Sequence, residues 1–252
     1  MEHGGSRSQS REEGANARTY FIKPGYEHRT ANMTLEEEPG AYWTPARLQS
    51  TRHHQVHAYL EARRLIRQHG LCRVLDVGCG IGYKLVTYLE PVALECVGID
   101  QASAVEVARR LFPRSRSLIL AGDIEARPPR DLGVFDLVTS IDVIEHLLDP
   151  SVLLDTMRKH CHERSWVLIS TPERDMRRGP DCMKSPKVEH VREWNREELK
   201  RFVESRGFRV VEQLLRPGFR VGWSWQYVKE RWQLIRDGVP YRYNQVAICR
   251  PA

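Results

Sequence analysis

The stretch RVLDVGCGIGYKL, residues 73–85, combines a carboxylate with three alternate glycines. Asp76 ends an apolar run, and Gly78, Gly80 and Gly82 follow it. Glycine adopts backbone angles that other residues avoid and lets a ligand approach the main chain closely. Where such a loop leads from a strand into a helix, the N–H groups of the helix terminus can also bind a ligand. The loop predicts a nucleotide-type site, although an ordinary turn could use the same residues.

Carboxylates also end the next two predicted strands. Asp100 in VGID can accept hydrogen bonds from both hydroxyl groups of a ribose. Asp123 in AGDI can accept one from the amine of an adenine, with Ile124 packed on the ring. Asp76 would repel a pyrophosphate but suits an ammonium group, and the glycine spacing differs from the G-x-G-x-x-G of dinucleotide enzymes. The pattern predicts a ligand with adenine, ribose and a cationic amino-acid tail, which is S-adenosylmethionine.

A second group of reactive side chains follows the fourth predicted strand, in SIDVIEHLLDPS. If Asp142 begins a helical turn, Glu145 and His146 fall on the same face at i+3 and i+4. Such a face could bind a divalent cation or orient a hydroxyl group, and His190 in KVEHVREWNREEL could complete it. The alternative is structural, with Glu145 and His146 capping and packing the helix. The sequence leaves both interpretations open.

As a functional site, this group of side chains fits methyl transfer to an alcohol, whether it binds a cation or orients the hydroxyl group. Transfer from a sulfonium is an in-line displacement, for which alignment supplies most of the catalysis. The alcohol must also lose its proton, either to a histidine or with the help of a bound metal that lowers the hydroxyl pKa. We predict that the catalytic residues are His146, His190 and Glu145. In the metal-assisted version, with Mg²⁺ or Mn²⁺, the ligands would be Asp142, Glu145, His146 and His190.

Short apolar segments alternate with helical patterns through the middle of the chain. The predicted strands are CRVLDV, LECVGID, SLILAGD, VFDLVTSID and SWVLIST, and the predicted helices between them are YKLVTYLE, SAVEVARRLF and PSVLLDTMRKHC. This alternation predicts an α/β fold, with a parallel sheet covered on both faces. Further along, NREELKRFVESRGF predicts a helix capped by Asn195, and FRVVEQLLR and RYNQVAICR predict strands.

The chain divides into three predicted segments. Residues 1–18 are polar and charged and are expected to be disordered. Residues 19–70 are expected to form an N-terminal arm and a lid helix, with Ser50 as its N-cap. Residues 71–252 are expected to form the cofactor-binding domain, in which the insert 172–194 caps the substrate.

Four segments together resemble the ordered motifs of the class I S-adenosylmethionine-dependent methyltransferases. They are VLDVGCGIG, VGID, AGDI and FDLVTSIDVIEHLLDP, and the resemblance covers residues 72–172 closely. It implies a Rossmann-like, doubly wound sheet of seven mostly parallel strands, with the last strand, RYNQVAICR, antiparallel. It also implies that the cofactor contacts include Asp76, Gly78, Cys79, Gly80, Gly82, Asp100, Gln101, Asp123, Ile124, Ser140 and Ile141.

Two further resemblances concern the acceptor. KVEHVREWNREEL resembles the H-x-x-x-W/F-x-R-E-E-L segment that closes the pocket of many methyltransferases of small molecules and sugars. The D/E-x-x-E-H pattern with a later histidine resembles the metal site of small-RNA 2′-O-methyltransferases, which holds the two hydroxyls of a terminal ribose. This chain has Asp142 where those enzymes usually have Glu, and we identify no segment similar to their RNA-binding domains.

We therefore predict an O-methyltransferase for a small hydroxylated acceptor such as a sugar, a glycoside or another natural-product metabolite. RNA ribose 2′-O-methylation and a non-catalytic, cofactor-binding partner subunit are the alternatives. N-methyltransferases often carry an Asn/Asp-Pro-Pro-Tyr/Phe motif after the fourth strand, and SIDV differs from it.

Side chains outside these motifs add candidates for the pocket. In the arm, where related enzymes place a lid, they are Tyr42, Trp43, His53, His54 and His57. Between the last two predicted strands they are Trp223, Trp225, Tyr227 and Trp232. Aromatic faces stack on sugars and rings, but these side chains could equally pack in the core or lie on a helix surface.

Composition limits the partners and the location. The net charge is +6, but basic residues are spread along the chain without a Lys/Arg-rich block, which disfavours nucleic acid. No apolar run approaches the roughly 18 to 20 residues that cross a bilayer, and the N-terminus has no signal-peptide core. We expect a cytoplasmic protein without a membrane partner, and one that can form a homodimer. The six cysteines have no CxxC spacing and are expected to be free thiols.

Overall fold

The computed structural model describes residues 20–31, 42–125, 131–218, 228, 232, 235–236 and 243–252. The predicted tail 1–18 lies outside the described residues, as do Trp223, Trp225 and Tyr227 of the tryptophan-bearing segment. Trp232 is described, and its side chain is exposed.

Within the described residues, seven strands form one sheet. They are β1 (Arg73–Val77), β2 (Glu95–Asp100), β3 (Leu118–Ala121), β4 (Phe135–Ile141), β5 (Cys161–Pro172), β6 (Phe208–Pro217) and β7 (Tyr243–Pro251). Their order across the sheet is β3-β2-β1-β4-β5-β7-β6. The first five strands are parallel, and β7 is antiparallel to both β5 and β6. The predicted mostly parallel α/β sheet with an antiparallel last strand is confirmed.

The described helices are α1 (Pro45–Thr51), α2 (Val56–His69), α3 (Ala102–Leu111), α4 (Pro150–Lys159), α5 (Arg174–Arg178) and α6 (Arg196–Ser205). A π-helical turn, Leu85–Leu89, follows the glycine loop, and a 3₁₀ turn, Ile144–His146, follows β4. None of the described helices is long and apolar enough to cross a membrane.

Two layers of helices cover the sheet, because side chains of a strand point alternately to its two faces. Val74 of β1 packs in the cluster that contains Leu65 and Ile66 of α2. The next residue, Leu75, packs in the opposite cluster, which contains Leu153 of α4 and Phe202 of α6. This two-sided burial explains why the strands are continuous apolar runs.

The lid helix differs from its prediction. Ser50 is not an N-cap: it lies inside α1, where its hydroxyl donates to the carbonyl of Arg47 at 2.9 Å. The cap of α1 is Thr44, whose Oγ1 accepts from the Arg47 N–H, and Pro45 supplies a first turn that needs no donor. A left-handed Gln55, at φ 62°, separates α1 from α2. The predicted single helix is therefore two helices, interrupted at Gln55.

The helix after the insert begins as predicted. The Asn195 side chain accepts from the N–H of Glu198 at 2.9 Å, and the Glu198 carboxylate accepts from the N–H of Asn195 at 3.0 Å. This reciprocal capping box satisfies two N–H groups at the start of α6. The same Glu198 also accepts hydrogen bonds from the buried Arg174 of α5, which fixes α5 of the insert against the start of α6.

Candidate functional site

The carboxyl ends of β1, β2 and β4 border a cavity of about 780 Å³, which we call the edge cavity. Parallel strands end at the same edge of a sheet, and ligands of open α/β folds bind there. Eight of the eleven predicted cofactor residues lie in its wall: Gly78, Cys79, Gly80, Asp100, Gln101, Asp123, Ile124 and Ile141. The other three, Asp76, Gly82 and Ser140, lie outside the wall.

The three loop glycines have positive φ angles, but they meet different surroundings. At Gly78 a Cβ atom would overlap the side chain of Val143, and at Gly82 it would overlap Ile119 of β3. At Gly80 it would point across the edge cavity, 3.6 Å from Trp43. Gly78 and Gly82 therefore allow close packing, whereas Gly80 keeps the main chain bare toward the cavity.

Asp100 both shapes the loop and faces the cavity. Its carboxylate accepts the N–H of Gly80 at 2.7 Å and the N–H of Gln101 at 2.8 Å. Burial raises the pKa of Asp100, while these two N–H groups act in the opposite direction. A carboxylate has about four acceptor positions, so Asp100 keeps the capacity to bind ligand hydroxyls.

Asp76 lies behind the loop and is fully buried. The Tyr59 hydroxyl donates to one of its oxygens and the Thr139 hydroxyl to the other, each at 2.7 Å. Burial raises the pKa of Asp76 to about 6, although both hydrogen bonds oppose the shift. Asp76 therefore ties β1 to α2 and β4, and any effect on a ligand passes through the loop that it supports.

Lys84 is a wall residue that the sequence analysis did not select. It follows the loop, is 7% exposed, and donates from Nζ to Oε1 of Gln55 at 2.8 Å. Burial lowers the pKa of Lys84 to about 8, and the charges of Asp142 and Asp76 act in the opposite direction. The sequence feature that could have identified Lys84 is a lysine at a core-facing position shortly after the glycines, in GIGYKLV.

Three of the four predicted metal ligands meet beside the edge cavity. Glu145, His146 and His190 each offer a ligand atom, and these atoms lie within 4.8 Å of one another. We call these three residues the donor cluster. His146 borders the edge cavity, whereas Glu145 and His190 are buried behind it.

Both histidines of the donor cluster are oriented through Nδ1. The His146 Nδ1 lies 2.7 Å from the carbonyl oxygen of Glu189, so this nitrogen carries the proton and donates. The His190 Nδ1 donates to the Glu193 carboxylate at 2.6 Å. In a neutral imidazole Nε2 then bears the lone pair. Burial, followed by the neighbouring His190, lowers the pKa of His146 to about 4, which keeps its ring neutral.

Glu145 supplies the oxygen of the donor cluster. Its side chain is 1% exposed, and Oε2 accepts from the Thr171 hydroxyl at 2.9 Å. Burial and the nearby charge of Asp142 raise the pKa of Glu145 well above its usual range. A bound cation would reverse this shift, because it stabilises the ionised carboxylate. Two imidazole nitrogens and one such carboxylate form a donor set that fits a divalent transition metal.

Asp142 lies in the wall but outside the donor cluster. The assumption that it begins a helical turn is wrong, since its φ is +54° and the 3₁₀ turn begins at Ile144. Its carboxylate accepts from the Ser170 hydroxyl at 2.8 Å and from the Asn244 amide at 2.7 Å. These donors come from β5 and β7, and local spacing around Asp142 gives no sign of them.

Glu193 is the second residue that the sequence analysis missed. Its carboxylate is fully buried and accepts from His190, from the Ser185 hydroxyl at 2.8 Å and from the Arg178 guanidinium at 3.3 Å. Burial alone would raise the pKa of Glu193, but the His190 and Arg178 hydrogen bonds lower it to about 2. The sequence feature that could have identified Glu193 is its position three residues after His190, in HVREW.

Helix α1 and the residues before it cover one side of the edge cavity. The wall includes Tyr42, Trp43, Arg47 and His54. The Arg47 guanidinium forms an ion pair with the carboxylate of Glu189, in the insert, with a nitrogen–oxygen distance of 3.3 Å. Residues 20–31 lie elsewhere: the carbonyl of Tyr20 accepts from the Trp194 indole, and Arg29 donates to the carbonyl of Ser185. The predicted arm thus has two described parts, one on the insert and one over the cavity.

Comparison with known proteins agrees with this geometry. Residues 33–213 match a family model described as a methyltransferase domain. A ubiquinone biosynthesis O-methyltransferase from Thiobacillus denitrificans is 35% identical over 109 residues, which cover 41% of this chain and 45% of that protein. An ajmaline N-methyltransferase from Rauvolfia serpentina is 32% identical over 124 residues, covering 47% and 42%. The matched segments thus span less than half the length of these curated relatives.

The fold is also found in solved structures. The N-methyltransferase NodS from Bradyrhizobium japonicum, in complex with S-adenosyl-L-homocysteine, superposes with a TM-score of 0.58 at 18% identity. The match covers 87% of this chain and 97% of the NodS chain.

Proposed function

The chain belongs to the class I S-adenosylmethionine-dependent methyltransferase family, and we propose that it transfers the methyl group to a hydroxyl oxygen of a small molecule. The donor cluster carries this proposal, because its three side chains lie beside the cavity residues that are proposed to bind the cofactor. A hydroxyl group needs help to lose its proton, whereas an uncharged amine is already nucleophilic. Two imidazoles, each held through Nδ1 by an acceptor, and a buried glutamate match the first requirement.

The residues proposed to bind the cofactor lie along the edge cavity in the order of the strands that carry them. Asp123 and Ile124, after β3, are proposed to bind the adenine, and Asp100, at the end of β2, the ribose hydroxyls. Gly80 leaves its main chain open between them and the end of β4. Ile141 and Asp142 then lead to the donor cluster, where the methyl group would meet its acceptor.

The residues proposed to hold a divalent metal are Glu145, His146 and His190. When bound, such an ion would lower the pKa of the acceptor hydroxyl and hold a neighbouring oxygen of the same acceptor. The donor set favours Mn²⁺ over Mg²⁺, since Mg²⁺ prefers all-oxygen ligands and imidazole suits softer ions. Glu193 and the carbonyl of Glu189 would orient the two imidazoles, as acceptors beyond ligating histidines commonly do.

The acceptor that fits best is a ring with adjacent hydroxyl groups, such as a sugar, a glycoside or another natural-product metabolite. Tyr42 and Trp43 give the lid side of the edge cavity two aromatic faces, and their rings meet edge to face at 5.0 Å. Aromatic faces stack on such rings. The relative named as a ubiquinone biosynthesis O-methyltransferase also supports transfer to oxygen.

The proposal is tested by identifying the atom to which the methyl group becomes bonded. The purified chain would be given methyl-labelled S-adenosylmethionine, Mn²⁺ and a panel of catechols, glycosides, secondary amines and short RNAs. We expect label in methyl ethers of the small vicinal diols. Label on the amines alone would refute transfer to oxygen, and label on a terminal ribose of RNA alone would refute the small-molecule acceptor.

A further inference from the structure

Lys84 places a buried cation in the wall of the edge cavity. An ammonium group has three N–H donors, and the hydrogen bond to Gln55 uses one of them. Within the described part of the chain, Gln55 is its one hydrogen-bond partner, and the ring of Tyr59 lies 5.8 Å from Nζ. Lys84 lines the edge cavity, so its remaining donors are available to a ligand that fills this space.

The surroundings of Lys84 favour the binding of an anionic ligand group. Asp76, Asp100 and Asp142 all influence its charge, yet none of the described carboxylates forms an ion pair with it within 4.0 Å. Removing a cation from water without pairing it is unfavourable, so buried cations are normally paired. Arg47 and Lys187 also line the cavity but are more exposed, and Arg47 is already paired with Glu189.

The strand order places Lys84 away from the adenosine end. Asp123 and Asp100 follow β3 and β2, whereas Lys84 follows the loop after β1, and the carboxylate that acts on it most strongly is Asp142, after β4. Lys84 therefore lies toward the methionine half of the cofactor. That half carries the single anionic group of S-adenosylmethionine.

We propose that the Lys84 ammonium, held by Gln55, binds the α-carboxylate of the methionine portion of S-adenosylmethionine. This inference rests on the cofactor and is independent of the acceptor proposed above. Gln55 adopts a left-handed conformation between α1 and α2, so the same contact would couple the bound carboxylate to the helix that covers the cavity.

Calorimetry can test the contact without any measurement of turnover. The ligands are S-adenosylhomocysteine, which has the carboxylate, and 5′-methylthioadenosine, which keeps the adenosine and a thioether but has no amino-acid portion. Lys84→Met should weaken S-adenosylhomocysteine binding by about 10- to 100-fold, the range for a hydrogen bond to a charged group, and 5′-methylthioadenosine binding by less than about 3-fold. Lys187→Met, which removes an exposed cation of the same cavity, should change neither.

A second comparison needs no variant. The unaltered chain should bind the carboxamide of S-adenosylhomocysteine about 10- to 100-fold more weakly than the parent compound. Equal affinities for the acid and the amide would overturn the inference, as would an equal loss for both ligands in Lys84→Met. If the unaltered chain bound no adenosyl ligand at all, the cofactor assignment itself would fail.

Discussion

Glu193 accepts a hydrogen bond from Nδ1 of His190 at 2.6 Å, and both side chains are buried. Arg178 and Ser185 donate to the same carboxylate, which keeps Glu193 ionised and its geometry fixed. The His190 ring therefore presents Nε2 to the donor cluster. A histidine chosen from the sequence thus depends on an acid that the sequence did not single out.

Glu193→Gln should weaken Mn²⁺ binding by roughly 10- to 100-fold, because loss of such an orienting acceptor typically has this effect on a ligating histidine. Isothermal titration with MnCl₂ measures it. Glu189→Gln is the matched control, since Glu189 orients His146 through its main-chain carbonyl, which the substitution leaves intact. Unchanged Mn²⁺ affinity in Glu193→Gln would show that Glu193 serves the fold alone.

Gly78→Ala and Gly80→Ala should separate packing from ligand access. Both positions have positive φ, so the backbone strain is shared. Gly78→Ala also forces a methyl group onto Val143 and should lower the free energy of unfolding by a further ~1–3 kcal/mol, the usual effect of overpacking. Gly80→Ala should mainly weaken S-adenosylhomocysteine binding.

Urea unfolding and calorimetry on the two variants measure these effects. If Gly80→Ala unfolded as easily as Gly78→Ala and bound S-adenosylhomocysteine normally, the two glycines would not have the separate roles given above.

Asp76 should make stability fall as the pH rises from about 4 to about 6. Its folded-state pKa of about 6 lies above the ordinary pKa of 3.8 for an aspartate, so the folded chain binds more protons than the unfolded chain in this window. The stabilising effect is complete below the lower value and lost above the higher one, with a total of the order of 3 kcal/mol. Well above pH 6 the contribution of Asp76 to the free energy of unfolding no longer changes with pH.

Asp76→Asn removes this titration. The difference in unfolding free energy between the parent and Asp76→Asn should therefore decline across pH 4 to 6 and then level off. A difference that stays constant or rises with pH would mean that Asp76 is not destabilised by its burial.

The sheet and most of the cofactor wall follow from local sequence pattern. VLDVGCGIG, VGID and AGDI each join an apolar strand to a polar end, and parallel strands bring those ends to one edge. Asn195 and Glu198 specify the start of α6 within four residues, so their capping box was predictable. In these cases the contacts that matter lie within one motif.

The contacts that sequence reasoning missed join distant parts of the chain. Asp142 is held by Ser170 and Asn244, from two other strands, and this leaves it outside the donor cluster. Lys84 becomes part of the site because Gln55 reaches it from the helix junction. Neither spacing nor composition encodes such pairs, since each depends on the folded sheet.

Chelation shows whether Glu145, His146 and His190 hold a divalent ion that is used for methyl transfer to oxygen. The initial rate of methyl-ether formation would be measured on an accepted vicinal diol after EDTA treatment, then after adding Mn²⁺ or Mg²⁺ in excess. We predict loss of the rate with EDTA, recovery that is greater with Mn²⁺, and no recovery in His190→Ala, while His162→Ala at the opposite edge of the sheet behaves like the parent. A rate unaffected by EDTA would contradict the claim.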